Sequence, residues 1–118
     1  MMLNWNEYMQ ELATRIGEVG RTSPEIIRGY RALSEAGQKT NTLDGKIREL
    51  IALAVAVTLR CDGCITTHTS AALKNGASEA EIVEALGVAI SVNAGAALVY
   101  SARVLDAFHA KTEPTPAT

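Results

Sequence analysis

No block of basic residues occurs anywhere in the chain: 11 lysines and arginines are dispersed among 13 acids, for a formal charge of −2. Nucleic-acid binders carry a basic patch or stripe, so that class is not expected here. The opening segment Met1-Met2-Leu3-Asn4-Trp5-Asn6-Glu7 has no basic region leading into an apolar stretch, and so does not read as a secretory signal. The expected location is cytoplasmic. A long apolar run is also missing: residues 50–57, with Leu59 after Thr58, give about half of the ~20 residues that cross a bilayer, and read as core rather than membrane. Cysteine is nearly absent. The two present, Cys61 and Cys64, stand close together in a chain read as cytosolic, where stable structural disulfides are rare. Such a pair points to redox or metal chemistry.

What remains is a 118-residue chain, 47% hydrophobic, without an internal repeat. This suits one domain, read over residues 1–111, followed by a disordered tail over 112–118 that contains Thr112-Glu113-Pro114-Thr115-Pro116. Apolar residues recur at helical spacing. Trp5, Tyr8, Met9, Leu12, Ile16 and Val19 share one helix face, and the first helix is expected to end between Gly17 and Gly20. Ser23-Pro24-Glu25 provides an N-cap, a proline at the first helical position and an acid at the positive end of the dipole, opening a helix that runs to Gly37. Thr42 is the expected cap of a buried central helix carrying Leu43, Ile47, Leu50, Ile51, Ala54 and Val57. Its β-branched segment Val55-Ala56-Val57-Thr58 is assigned to helix, because the upstream spacing is helical and no partner strand is in sight.

After Arg60 the chain is expected to break and restart, with Asp62 as cap and the cysteines at a helix N-terminus that ends near Gly76. Ser78-Glu79-Ala80-Glu81 matches a capping box, followed by the stripe Ile82, Val83, Leu86 and Ile90. A second break is expected at Asn93-Ala94-Gly95, with Leu98, Ala102, Leu105 and Phe108 continuing beyond it. The small residues of 94–97 would allow close helix approach, subunit contact being one use. The fold class is therefore all-α, a compact bundle of about six helices.

Cys61-Asp62-Gly63-Cys64 suits a dithiol that closes to a short disulfide, and partial positive charge at a helix N-terminus favours the thiolate. Asp62 opposes this, since a carboxylate disfavours a second negative charge nearby. His68 lies four residues after Cys64, on the same helix face, and an imidazole can take a thiol proton near neutral pH directly or through one water. Cys64 is accordingly the better-activated thiol. Glu49, among Ala52, Leu53 and Ala56 on its own helix, is expected to point into a partly buried pocket. At 1.5 Å per residue it lies about 16 Å back from the reversal and His68 about 10 to 12 Å beyond it, so direct contact is marginal and a bridging water is the alternative.

Glu49, twelve residues before Cys61, followed by Cys61-x-x-Cys64-x-x-x-His68, resembles the signature of the alkylhydroperoxidase AhpD-like and carboxymuconolactone decarboxylase family. The resemblance spans roughly residues 42–86, including Lys46-Ile47-Arg48-Glu49-Leu50 and Asn75-Gly76-Ala77-Ser78. It implies that Glu49 and His68 relay a proton from Cys64, that Cys64 attacks a peroxide to give a sulfenic acid, and that Cys61 resolves it. It further implies a peroxide or disulfide substrate, a reductant protein with lipoyl or thioredoxin-like thiols, no cofactor or resident metal, and a homo-oligomer, commonly a trimer or hexamer. One departure stands out. The best-studied peroxidases of this family carry a histidine just before the second cysteine, where this chain has Gly63.

Two other readings compete. A carboxymuconolactone decarboxylase-like lyase has no evident use for a cysteine pair, and no cationic clamp for its acid substrate is visible. In a non-enzymatic metal-binding or scaffold protein, Cys61, Cys64, His68 and Glu49 would be the ligands, although a second Cys or His pair is lacking. His109, near a helix C-terminus, and Arg60 are read as solvated charges, and Trp5, Tyr8 and Met9 as a core face or subunit contact.

Overall fold

A computed structural model describes residues 1–114, which form five helices and, among the described residues, no strand. They are α1 (Trp5–Thr22), α2 (Pro24–Thr40), α3 (Gly45–Leu59), α4 (Asp62–Lys74) and α5 (Glu79–Thr112). The all-α class stands, but the helix count is five rather than six. The expected break at Asn93-Ala94-Gly95 does not occur, and α5 runs unbroken for 34 residues. Asn93 is tied down instead of looping out: its side-chain amide donates to the Ala89 carbonyl at 2.7 Å and to Thr58 Oγ1 of α3 at 2.9 Å. α5 extends to Thr112, one residue into the segment read as a tail, and residues 115–118 of that segment lie outside the described residues.

Local chemistry explains most helix ends. Asn4 Oδ1 accepts the Glu7 N–H and caps α1, which continues through Gly17 and Gly20 to Thr22. A Cβ on Gly20 would come within 3.1 Å of Ile27 Cγ1, so this glycine is where α1 and α2 approach rather than where α1 stops. Pro24 opens α2 as expected, although Ser23 makes no side-chain cap bond. The helix extends past Gly37 to Thr40 and ends on Asn41 in the left-handed conformation. Asp44, not Thr42, caps α3, accepting the Ile47 N–H at 2.9 Å. The capping box of Ser78 and Glu81 is present in both directions.

α3 is central, packing against α4 on one side and α5 on the other, while α1 leans on α4 and α2 on α1. The core is small. Leu53 of α3 meets Ala72 and Ala77, with Leu50 and Ile82 packed around them. Ile47 and Ile51, expected in the core, face solvent instead, as do Val83 and Ile90 of α5. The reason is openness. The radius of gyration is 20.6 Å, against roughly 13.5 Å for a compact chain of this length. The distal half of α5 projects past the other helices, so the bundle is not compact.

Between α3 and α5, Lys46 Nζ sits 2.7 Å from Glu81 Oε2. The Lys46 hydrogen bond, followed by those from Ser78, pulls the Glu81 carboxyl down to about 2 from its ordinary 4.5. A depressed acid stabilises the fold fully above its unfolded value and loses that contribution as pH falls toward the folded one. Glu81→Gln is therefore expected to be less stable than wild type at pH 6, with the gap closing between pH 4.5 and about 2. Urea denaturation of both proteins across that range measures it.

Candidate active site

The site forms where α3 hands over to α4. Arg60 ends α3 in the left-handed conformation (φ 54°), and the Cys61 N–H returns to the Ala56 carbonyl at 3.1 Å. The chain thus reverses within two residues. Cys61, not Asp62, is the N-cap of α4, and its Sγ accepts the Cys64 N–H at 3.2 Å. Sulfur occupies the position usually filled by an oxygen cap, and Asp62 becomes the first helical residue. Cys61 and Cys64 are joined as a disulfide, with Cα atoms 5.2 Å apart.

Glu49 and His68 meet directly, with Glu49 Oε2 2.6 Å from His68 Nδ1 and neither side chain fully buried. The contact that the axial arithmetic left marginal is direct, without an intervening water. Counted from the helix ends, Glu49 lies about 15 Å back along α3 and His68 about 9 Å along α4, and the two side chains span the difference. Lys46, a possible helical partner for Glu49, is engaged with Glu81. A carboxylate acceptor at Nδ1 selects the tautomer with the proton there, leaving the Nε2 lone pair free to accept one.

Arg48 is a contributor that sequence reasoning passed over. Its guanidinium donates to the Gly37 carbonyl at 3.3 Å, to Asn41 Oδ1 at 3.0 Å and to the Leu43 carbonyl. This fixes the α2–α3 connection one residue from Glu49. A single arginine beside a predicted helix start gave no sign of that role, because two of its three acceptors are backbone carbonyls. Arg60 and His109 are exposed, and Arg60 serves the turn through its backbone. Among the described residues, no three His, Cys, Asp or Glu side chains are grouped to hold a metal ion.

Gly63 has a physical explanation. A Cβ there would lie 2.7 Å from Leu12 Cδ2, so α1 occupies the space beside the disulfide turn. Further along the same crossing, Thr66 Oγ1 donates to the Trp5 carbonyl at 3.3 Å. The Trp5, Tyr8, Met9 and Leu12 stripe therefore serves, at least in part, as the face that α1 lays on α4.

The carboxymuconolactone decarboxylase family model matches residues 24–107, and this chain belongs to that family. An uncharacterized protein from Haemophilus influenzae is 49% identical over 92% of this chain and 96% of its own length. A Paracoccus denitrificans protein, uncharacterized protein 4 in the cox locus, is 34% identical over 82% of this chain and 87% of its own. The crystal structure of an apo carboxymuconolactone decarboxylase family protein from Legionella pneumophila superposes with a TM-score of 0.71 at 33% identity, covering 92% of this chain and 97% of that one.

If Leu12 fills the space at position 63, a histidine placed there must displace it. Gly63→His is expected to cost about 1–3 kcal/mol by overpacking, with much of the loss recovered when Leu12→Ala is added. A double-mutant cycle by urea denaturation measures the coupling.

Proposed function

We propose that this chain is a cysteine-dependent oxidoreductase, an alkylhydroperoxidase-like peroxidase or thiol-disulfide oxidoreductase, working through Cys61 and Cys64 with Glu49 and His68 as proton relay. The observation that carries the reading is the Glu49–His68 hydrogen bond, formed one helical turn after Cys64 on the helix that the cysteine pair opens. Glu49 holds the imidazole with Nε2 unprotonated, and Nε2 receives the Cys64 thiol proton directly or through one water.

The Cys64 thiolate attacks the distal oxygen of a hydroperoxide. The O–O bond breaks, the alcohol leaves with the proton returned from His68, and Cys64 becomes a sulfenic acid. The Cys61 thiolate then attacks that sulfur, forming the disulfide and releasing water after one further proton is taken up. Cys61 is suited to resolve, because its sulfur sits at the N-cap of α4 within bonding reach of Cys64. A dithiol partner of the lipoyl or thioredoxin-like type supplies two electrons and restores both thiols. In plain disulfide exchange the first oxidant is a substrate disulfide and the later steps are the same. The reading takes the protein to be cytoplasmic, to need no cofactor, and to work as a homo-oligomer of three or six copies.

A lyase of the decarboxylase type has the family name in its favour, and it predicts activity that survives loss of both cysteines.

The test is peroxide-dependent oxidation of the reduced protein, followed by mass and thiol count, for wild type, Cys61→Ser, Cys64→Ser and His68→Ala. Serine retains a capping oxygen at position 61, so Cys61→Ser separates chemistry from folding. Wild type should close the disulfide, Cys61→Ser should stop at a sulfenic acid on Cys64, and Cys64→Ser should be inert. His68→Ala should slow the first step by about 10²–10⁴. Thiols inert to both peroxide and disulfide substrates would remove the redox reading.

A further inference from the structure

We infer that Arg60 is a specificity-determining residue of the cysteine site, whose guanidinium receives a carboxylate carried by the disulfide that the Cys61/Cys64 dithiol reduces. The inference rests on the thiol-disulfide reading above and names a class of substrate for it.

The first support is the backbone. Three described residues have a positive φ, and each stands at or just after the end of a helix. Gly76 (φ 83°), after α4, has no Cβ to crowd. Asn41 (φ 48°), after α2, is of a type that tolerates this conformation, and its Oδ1 accepts from the Arg48 guanidinium at 3.0 Å. Arg60 (φ 54°), after α3, differs on both counts. Its Cβ is strained in the left-handed region, and among the described residues its exposed side chain is in no ion pair and stacks on no ring. A cation at the C-terminal end of α3 is favoured by the helix dipole, but for an exposed group this contributes less than the left-handed backbone costs. Glycine would make the same turn without strain. A long cationic side chain held at such a position, beside a reactive pair, is a candidate for contact with a ligand.

The second support is the charge around it. Asp62, on the other side of Cys61, is the first residue of α4, where the positive helix end answers its carboxylate. Glu49 is engaged by His68. α5 reaches the turn through Asn93, bonded to Thr58, and no Asp, Glu, Lys, Arg or His occurs between residues 85 and 102. The Arg60 charge is therefore open to a carboxylate from outside, next to Cys61. Leu59, 68% exposed, offers apolar surface to the carbon chain between that carboxylate and the S–S bond.

The chemistry gives the cation a use. The Cys64 thiolate attacks one sulfur of the substrate disulfide, forms a mixed disulfide and expels a thiolate. The Cys61 thiolate then attacks the Cys64 sulfur, closes the Cys61–Cys64 disulfide and expels the second thiolate. The two leaving groups take up the two protons of the protein thiols, so the substrate gains two electrons and the protein loses two. A thiolate approaching a carboxylate-bearing disulfide meets a like charge, and Arg60 offsets that repulsion.

The test is the oxidation rate of the reduced full chain by three disulfides of similar size: anionic dithiodipropionate, neutral bis(hydroxyethyl) disulfide and cationic cystamine. Each rate is divided by that of the same reagent with a neutral free thiol. Arg60→Lys keeps charge, Arg60→Gln removes charge but keeps the strained turn, and Arg60→Gly removes both. Wild type should prefer the anionic reagent, and added salt should weaken the preference. The anionic-to-neutral rate ratio should fall about three- to tenfold in Arg60→Gln and Arg60→Gly alike, and largely survive in Arg60→Lys. The cationic-to-neutral ratio should rise in the two uncharged variants. Arg60→Gly should also resist urea better than Arg60→Gln, which separates the effect of charge from that of the turn. Rates that change by one factor with all three reagents place the charge effect on the thiols and overturn the inference, as does an anion preference that Arg60→Gln retains. Thiols inert to all three reagents remove the thiol-disulfide reading itself, and the inference with it.

Discussion

Reversal of the chain between α3 and α4 is compressed into Arg60 and Cys61, and the geometry of the site depends on how it is done. Arg60 takes the left-handed conformation that a non-glycine residue adopts at a cost, and the Cys61 N–H closes back on α3. With the two helices joined so tightly, residues at different heights on each are brought side by side, and Glu49 and His68 can bridge them at 2.6 Å. A longer connection would let α4 slide or rotate against α3 and loosen that contact. The same reversal leaves the Cys61 sulfur as the cap of the new helix. The cysteine pair at the N-cap and the Glu49–His68 contact are thus two results of one turn.

The neighbouring contacts act to hold that turn in place. Arg48 fastens the connection into α3, one residue from Glu49, by donating to the carbonyls of Gly37 and Leu43 and to Asn41. Lys46 pairs with Glu81 at the start of α5, which ties the beginning of α3 to a helix the sequence places more than thirty residues away. On the far side, Leu12 lies against Gly63 and fixes the approach of α1. A larger side chain at position 63 requires the Leu12 side chain to move, which ties the family departure at this position to the identity of residue 12.

Short-range chemistry was the part legible in the residues. The Ser78–Glu81 capping box, the proline at the start of α2 and the cysteine pair at a helix N-terminus could all be read because each partner lies within four positions. Where two capping residues compete, the outcome lies outside that window. Thr42 and Asp44 could both cap α3, and Asp62 and Cys61 could both cap α4. Asp44 and Cys61 are the ones whose side chains accept a first-turn N–H, from Ile47 and Cys64. Asn93-Ala94-Gly95 read as a break because nothing in the sequence announces that Thr58 will bind Asn93. Glu49 and His68 were legible as a pair, but direct contact depended on side-chain reach rather than helix rise. The exposure of Ile47, Ile51 and the distal half of α5 was illegible for a different reason: hydrophobic periodicity marks faces that need covering without saying which chain covers them.

This last point bears on the chemistry. Glu49 and His68 remain partly open to solvent in the single chain, with side-chain exposures of 22% and 31%. Under the proposed thiol chemistry, proton transfer tolerates this, since water can carry the proton, and a reductant protein would need a route to the sulfurs. A sulfenic acid, however, is vulnerable to further oxidation while it waits for Cys61, and shielding from bulk solvent and a nearby resolving thiol both shorten that exposure. Cys61 is already held one turn from Cys64 by the cap hydrogen bond, so resolution needs little chain movement. Shielding is the weaker of the two in this structure, because the apolar side chain of Leu59, two residues before Cys61, faces solvent.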